Sequence, residues 1–109
     1  MKTLEIRKAK ILEIPEVKRL FDSFEEMDII PETFSEKYYG RILDKGILIV
    51  AVKEKNIIGG CFGSYNPKER WADILGLVVK KDFQGKGVGS SLVEKFEKIC
   101  KNKNLNTID

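Results

Sequence analysis

The residues best suited to chemistry lie in one glycine-rich stretch, residues 84–89, which reads QGKGVG. Three glycines at alternate positions let the backbone turn tightly and come close to a ligand, because no Cβ stands in the way. A helix pattern begins within this stretch, so unpaired N–H groups and the positive end of the helix dipole would face the turn. We therefore predict an anion site that takes a phosphate or a pyrophosphate.

The glycine spacing separates this stretch from two common nucleotide-binding motifs. A Rossmann fingerprint needs glycines at relative positions one, three and six, and the sixth position here is Ser90. A P-loop needs Gly-Lys followed by Ser or Thr, whereas Lys86 is followed by Gly87. A turn that binds nothing stays open as an alternative, since many tight strand-to-helix turns use glycine.

Composition restricts the class of protein that carries this turn. The chain has 109 residues, 42% apolar and 34% charged, which suits one domain over residues 1–109. No apolar run approaches the roughly 20 residues of a membrane span, and the start MKTLEIR is not a secretory signal. We therefore expect a cytoplasmic protein without a membrane partner. The net charge of +3 is mixed along the chain, which predicts no nucleic-acid partner.

Cysteine and histidine usage argues against a metal site. The sequence has two cysteines, Cys61 and Cys100, and no histidine. A metal cage or a disulfide framework is therefore not expected. Neither thiol is expected to carry an acyl group, because no histidine can activate it.

Hydrophobic periodicity predicts the elements that position the turn. The predicted strands lie at 4–8, 47–53, 57–65 and 72–79, with a strand start at 105–109. The predicted helices lie at 14–24, 33–44 and from 87 onward. Pro15 suits the first turn of the first helix, and Thr33 or Ser35 would cap the second. The 72–79 run is the most continuously apolar, which indicates a central strand. This order predicts an α/β or α+β sandwich.

Residues 84–89 also fit the Gln/Arg-x-x-Gly-x-Gly/Ala signature, and with the strand before them they resemble the acetyl-CoA segment of the GNAT superfamily of N-acetyltransferases. The order of the other elements is similar to that family's more loosely. The resemblance implies a mixed, mainly antiparallel sheet flanked by helices. It also implies transfer of an acetyl group from acetyl-CoA, without a metal, to a primary amine of a small molecule, an amino acid or a protein. A non-catalytic acyl-CoA-binding, regulatory or dimerisation module is the alternative.

The resemblance further implies which residues hold the co-substrate. The 72–79 strand would carry a bulge near Gly76 that opens a wedge, and its backbone would pair with the pantetheine arm. The residues implied for the arm are Leu77, Val78 and Val79, whose side chains are expected to serve the core. The residues implied for the pyrophosphate are Gln84, Gly85, Lys86, Gly87, Val88, Gly89 and Ser90.

Catalytic roles are implied for two residues of the same strand. Asp73 stands where several family members carry a general-base glutamate, and its shorter side chain would need a relaying water. An exposed strand start without a catalytic role is the alternative for Asp73. The backbone N–H of Leu77 would stabilise the developing oxyanion. No tyrosine matches the position of the family's general acid. The aromatic residues that could line an acceptor pocket, or simply pack in the core, are Phe34, Tyr38, Tyr39 and Trp71.

The resemblance also implies that the sequence stops at the start of the fifth strand. A domain of residues 1–109 would then lack the C-terminal strands of the family. Because an open sheet edge favours association, a homodimer or strand exchange is a further expectation.

Overall fold

The computed structural model describes residues 4–23 and 34–108. The strands are β1 (Leu4–Lys8), β2 (Ile47–Lys53), β3 (Asn56–Asn66), β4 (Trp71–Val79) and β5 (Asn106–Ile108). The helices are α1 (Ile14–Asp22), α2 (Glu36–Lys45) and α3 (Val88–Asn102), with single 3-10 turns at Ile11–Glu13 and Lys81–Phe83. The element order predicted from periodicity is confirmed, whereas the two 3-10 turns were not predicted. The predicted positions of Phe24 and Thr33 lie outside the described residues.

The strands form one sheet in the order β1-β2-β3-β4-β5. The first four run antiparallel to their neighbours, and β5 runs parallel to β4. This confirms the predicted mixed, mainly antiparallel sheet flanked by helices. The β4–β5 ladder joins only residues 71–73 to residues 106–108.

Helices cover both faces of the sheet. Pro15 lies in the first turn of α1, as predicted, and the Ser35 hydroxyl caps α2 by accepting a hydrogen bond from the Tyr38 N–H at 3.1 Å. One core lies between the sheet and the α1 and α2 helices, and it includes Leu48, Val50 and Phe62. The other core lies beneath α3. Its fully buried members are Ile49, Ala51, Cys61, Ala72, Leu92, Phe96 and Cys100.

A β-bulge interrupts β4 beside the predicted position. Phe62 pairs with Gly76 and Gly63 pairs with Ile74, so Leu75 is the extra residue. Gly76 lies beneath the ring of Phe62, and a Cβ at this position would overlap that ring. A second register shift lies between Ala51 and Val52 of β2, where β3 carries the extra residue. The glycines of β3 and β4 thus mark bulges and close approaches of neighbouring atoms.

The prediction that the 72–79 strand is central holds for only part of β4. Residues 71–73 lie between β3 and β5, but the rest of the strand pairs with β3 alone within the described chain. From Ile74 to Val79, β4 therefore has an inner edge against β3 and an outer edge that no strand of the described residues covers.

Candidate active site

The outer edge of β4 presents specific backbone groups. The Lys80 N–H donates to the Ile58 carbonyl at 2.8 Å, which makes these opposed residues a hydrogen-bonded pair. Such pairs alternate along an antiparallel ladder. Val78 and Gly76 therefore direct their N–H and C=O groups toward β3, and Leu77 and Val79 direct theirs outward.

The bulge determines which residues of β4 direct their backbone groups outward. Before the bulge, outward groups belong to even-numbered residues, as the bond from the Asn106 N–H to the Arg70 carbonyl at 3.0 Å shows. After Leu75 they belong to odd-numbered residues. Without the extra residue, the Leu77 N–H would face β3 and would be used in the ladder.

A side chain joins the end of β4 to the glycine-rich loop. The Gln84 amide nitrogen Nε2 donates to the outward carbonyl of Val79 at 2.9 Å. Gly85 and Gly87 then adopt φ angles of +76° and +84°, in the left-handed region that favours glycine. These two glycines are required by backbone angle, since nothing lies near a Cβ at either position.

The loop ends in a set of free backbone donors. The first bond of α3 runs from the Ser91 N–H to the Gly87 carbonyl at 3.0 Å, so the first-turn amides of α3 have no partner within the helix. In the described chain, the amides of residues 85–90 donate no hydrogen bond to any protein group. Val88 is buried against β3 and fixes the helix start, whereas Gln84, Lys86 and Ser90 are exposed. This arrangement fits a pyrophosphate, because many N–H donors and a helix dipole converge on exposed space.

The side chains of Asp73 and Leu75 face away from α3, on the side of the sheet where α1 and α2 pack. Ile74 packs in the core beneath α3, so its neighbours Asp73 and Leu75 point to the opposite face. Asp73 is half-buried and Leu75 is 48% exposed. The side chain of Leu77 is 43% exposed, so the expectation that it serves the core was wrong. The bulge places Leu77 at the outer edge of β4, where no strand of the described residues covers its side chain. Val78 and Val79 are partly buried against the two cores, as expected.

Five aromatic rings pack together beneath α1 and α2. This aromatic cluster consists of Phe21, Phe34, Tyr38, Tyr39 and Phe62, and the ring of Phe62 lies 5.0 to 6.1 Å from the other four. Tyr39 is 1% exposed and belongs to the core, and burial raises the pKa of its hydroxyl. Phe34 and Tyr38 are only half-buried. Trp71 lies apart from the cluster, and its indole N–H donates to Glu69 at 3.1 Å.

The described residues offer neither an accessible thiol nor a cluster of metal ligands. Cys61 and Cys100 are buried free thiols, and burial raises the pKa of Cys61 to about 12. No group of three or more metal-ligating side chains occurs in the described ranges. No described helix is long and apolar enough to cross a membrane.

Two features of the site could not be found in the sequence. The exposure of Leu75 follows from the bulge, which an apolar run does not reveal. The start of β5 is held by Arg70, which donates to the Asn104 carbonyl at 3.2 Å and to its side-chain oxygen at 3.0 Å. Arg70 and Asn104 both have positive φ angles, and asparagine is a residue that tolerates them. An Asn after an amphipathic helix was the only available signal.

The sheet, the bulged strand and the glycine loop define an acetyltransferase fold, and comparison with known proteins agrees. The model of the acetyltransferase (GNAT) family matches residues 14–109, so the chain belongs to this family. Members of the family use acetyl-CoA. Among curated proteins, no sequence matches the chain significantly.

Solved structures share the fold at low sequence identity. N-acetylglutamate synthase from Neisseria gonorrhoeae, complexed with coenzyme A and N-acetyl-glutamate, superposes with a TM-score of 0.82 at 19% identity, over 94% of this chain and 24% of that one. A GNAT-family acetyltransferase from Staphylococcus aureus Mu50 gives 0.81 at 15% identity, over 94% and 70%. Ard1 from Thermoplasma volcanium gives 0.75 at 22% identity, over 94% of this chain and 66% of that one. The chain thus spans slightly less than two thirds of the Ard1 chain.

Proposed function

We propose that this protein binds acetyl-CoA along the outer edge of β4 and transfers the acetyl group to a primary amine. The observation that carries the proposal is the continuity of the edge and the loop. Outward backbone groups of Leu77 and Val79 lead directly to the free amides of residues 85–90. The outward groups of Leu77 and Val79 suit the amides of a pantetheine arm, and the free amides of residues 85–90 suit a pyrophosphate. Val78 contributes core packing here, since its own backbone groups face β3.

Two residues carry the proposed chemistry. The outward N–H of Leu77 donates to the thioester oxygen as negative charge develops there. Asp73, on the open face of the same strand, takes the proton that the attacking amine loses, directly or through a water. A C–N bond forms and the C–S bond breaks, and the CoA thiolate takes up a proton from solvent.

Acetyl-CoA binding and acetyl transfer are tested separately. Calorimetry with CoA measures binding, and thiol release from acetyl-CoA over a panel of amines measures transfer. The protein's own thiols should give no background, because both are buried with raised pKa values. A folded sample that binds no CoA would contradict the whole proposal.

Asp73→Asn tests the base. We expect kcat to fall by about 100-fold or more with the affinity for CoA unchanged. The matched control is Asp44→Asn, which alters an exposed carboxylate of α2 and should change neither value. Binding of CoA without transfer to any amine, and without an effect of Asp73→Asn, would identify a non-catalytic acyl-CoA-binding module instead.

A further inference from the structure

The face of β4 opposite α3 carries an unusual row of side chains. Trp71 and Asp73 lie two apart on β4 and share a face about 7 Å apart, and Leu75, the extra residue of the bulge, follows them. We call this row the Asp73 face. A half-buried carboxylate thus stands between an indole and a leucine.

The Asp73 face is open within the described residues. The α1 and α2 helices pack over β2 and β3, and α3 packs on the other side of β4. Leu75 consequently leaves 48% of its surface in water. A single exposed leucine is common in proteins. Leu75 differs because it lies directly between Asp73 and the residue whose N–H faces the outer edge, Leu77.

The Asp73 face continues into the aromatic cluster. Gly76 follows Leu75, and the ring of Phe62 lies directly over it. The rings of Phe34 and Tyr38 lie 6.1 and 6.0 Å from that of Phe62, and both are half-buried. The surface beside the proposed base therefore carries apolar and aromatic groups from Trp71 to the edge of α2, with the half-buried Ser64, the cross-strand partner of Asp73, as a polar group among them.

We infer that the acceptor is a primary amine carried on an apolar or aromatic skeleton; this inference rests on the proposed function. The amine lies at Asp73 and loses its proton there. The skeleton covers Leu75 and the neighbouring rings, which removes apolar surface from water. A polar skeleton would lose its hydration against Leu75 and Phe34, which offer it no hydrogen bonds.

Two amines that differ at one end test this inference. 2-Phenylethylamine and ethanolamine are both primary amines on a two-carbon chain, ending in a phenyl ring and a hydroxyl. With acetyl-CoA as donor, we expect kcat/KM to be at least about tenfold higher for 2-phenylethylamine. Equal values, a preference for ethanolamine, or transfer to neither amine by a protein that binds CoA would overturn the inference. Failure to bind CoA would instead overturn the proposed function, and this inference with it.

The Leu75→Ser variant tests whether the preference for 2-phenylethylamine over ethanolamine depends on the Asp73 face. The substitution should lower kcat/KM for 2-phenylethylamine by about tenfold and leave ethanolamine within about twofold, with unchanged affinity for CoA. A merely structural role of Leu75 would lower both amines equally, which would also overturn the inference. The matched control is Leu4→Ser on β1, where a leucine of similar exposure, 38%, lies at the far edge of the sheet. This control should change neither amine.

Discussion

Glycines at the two edges of β4 serve different structural purposes. At the inner edge, Gly63 and Gly76 supply space, because neighbouring atoms occupy the positions where Cβ atoms would lie. At the outer edge and beyond it, Gly85 and Gly87 supply backbone angles and have empty space around them. The inner edge is thus a packing feature, whereas we propose that the outer edge binds the co-substrate. Substitutions at the inner edge should therefore change the free energy of unfolding, and substitutions at the outer edge should change activity or CoA affinity.

The largest expected effect on stability lies at the inner edge. In Gly63→Ala the new Cβ would overlap the backbone oxygen of Asp73 and press on the ring of Phe96, so β3 and β4 would have to separate. We expect a loss of about 3 kcal/mol in the free energy of unfolding, measured by urea denaturation. Gly40→Ala in α2 is the control, because nothing lies near its Cβ and alanine favours a helix; it should stabilise by up to about 1 kcal/mol.

Proline at neighbouring positions separates the two edges directly. Val78→Pro removes an N–H that faces β3, so it should destabilise the protein by about 3 kcal/mol. Leu77→Pro removes an outward N–H and leaves the β3 ladder intact, so the protein should stay folded. If that N–H stabilises the oxyanion, kcat should fall by about 100-fold or more. Equal destabilisation by both prolines would show that the alternation deduced from the bulge is wrong.

The glycine loop should show a smaller effect, expressed in binding. Gly87→Ala places a side chain at a φ of +84°, a strain of about 1 to 2 kcal/mol that the loop would relieve by changing shape. We expect CoA to bind about tenfold more weakly in calorimetry. Gly89→Ala is the matched comparison, since its Cβ would lie 3.8 Å from Val79, an ordinary contact, and its affinity should stay within about twofold. A larger loss of CoA affinity in Gly89→Ala than in Gly87→Ala would mean that the free space around the loop, and not its backbone angles, determines CoA binding.

The sequence predicted the glycine turn before α3 better than the packing at the inner edge of β4, for a physical reason. The loop is local: three glycines, a preceding strand and a following helix all lie within about 20 residues, and each constrains its neighbours. The strand and helix positions were predictable for the same reason, since periodicity is a local property. Packing at the inner edge joins residues distant in sequence, such as Gly76 beneath Phe62, and composition does not reveal such contacts. The bulge near Gly76 came from the family resemblance, but the identity of its extra residue, Leu75, required the pairing of β3 with β4.

The smallest expected effect belongs to a contact remote from both edges. Arg7 donates two hydrogen bonds to Glu13, at 2.9 and 2.7 Å, and the Lys10 N–H donates a third at 2.8 Å. The bonds from Arg7 lower the pKa of Glu13 most, and the bond from the Lys10 N–H adds to this. Because the folded pKa lies below the ordinary value of about 4.3, the ionised carboxylate stabilises the protein above that value, and this stabilisation is lost as pH falls through the folded pKa.

Glu13→Gln should therefore lower stability by about 1 kcal/mol or less at neutral pH, and the difference from the wild-type protein should shrink below pH about 4. Urea denaturation at a series of pH values would measure it. The control is Glu94→Gln, at an exposed carboxylate of α3, which should change the stability at neutral pH by no more than about 0.5 kcal/mol. The affinity for CoA should be the same in both variants, because neither residue belongs to β4 or to the glycine loop. A change in CoA affinity from Glu13→Gln would show that the β1 side of the sheet is coupled to the outer edge of β4.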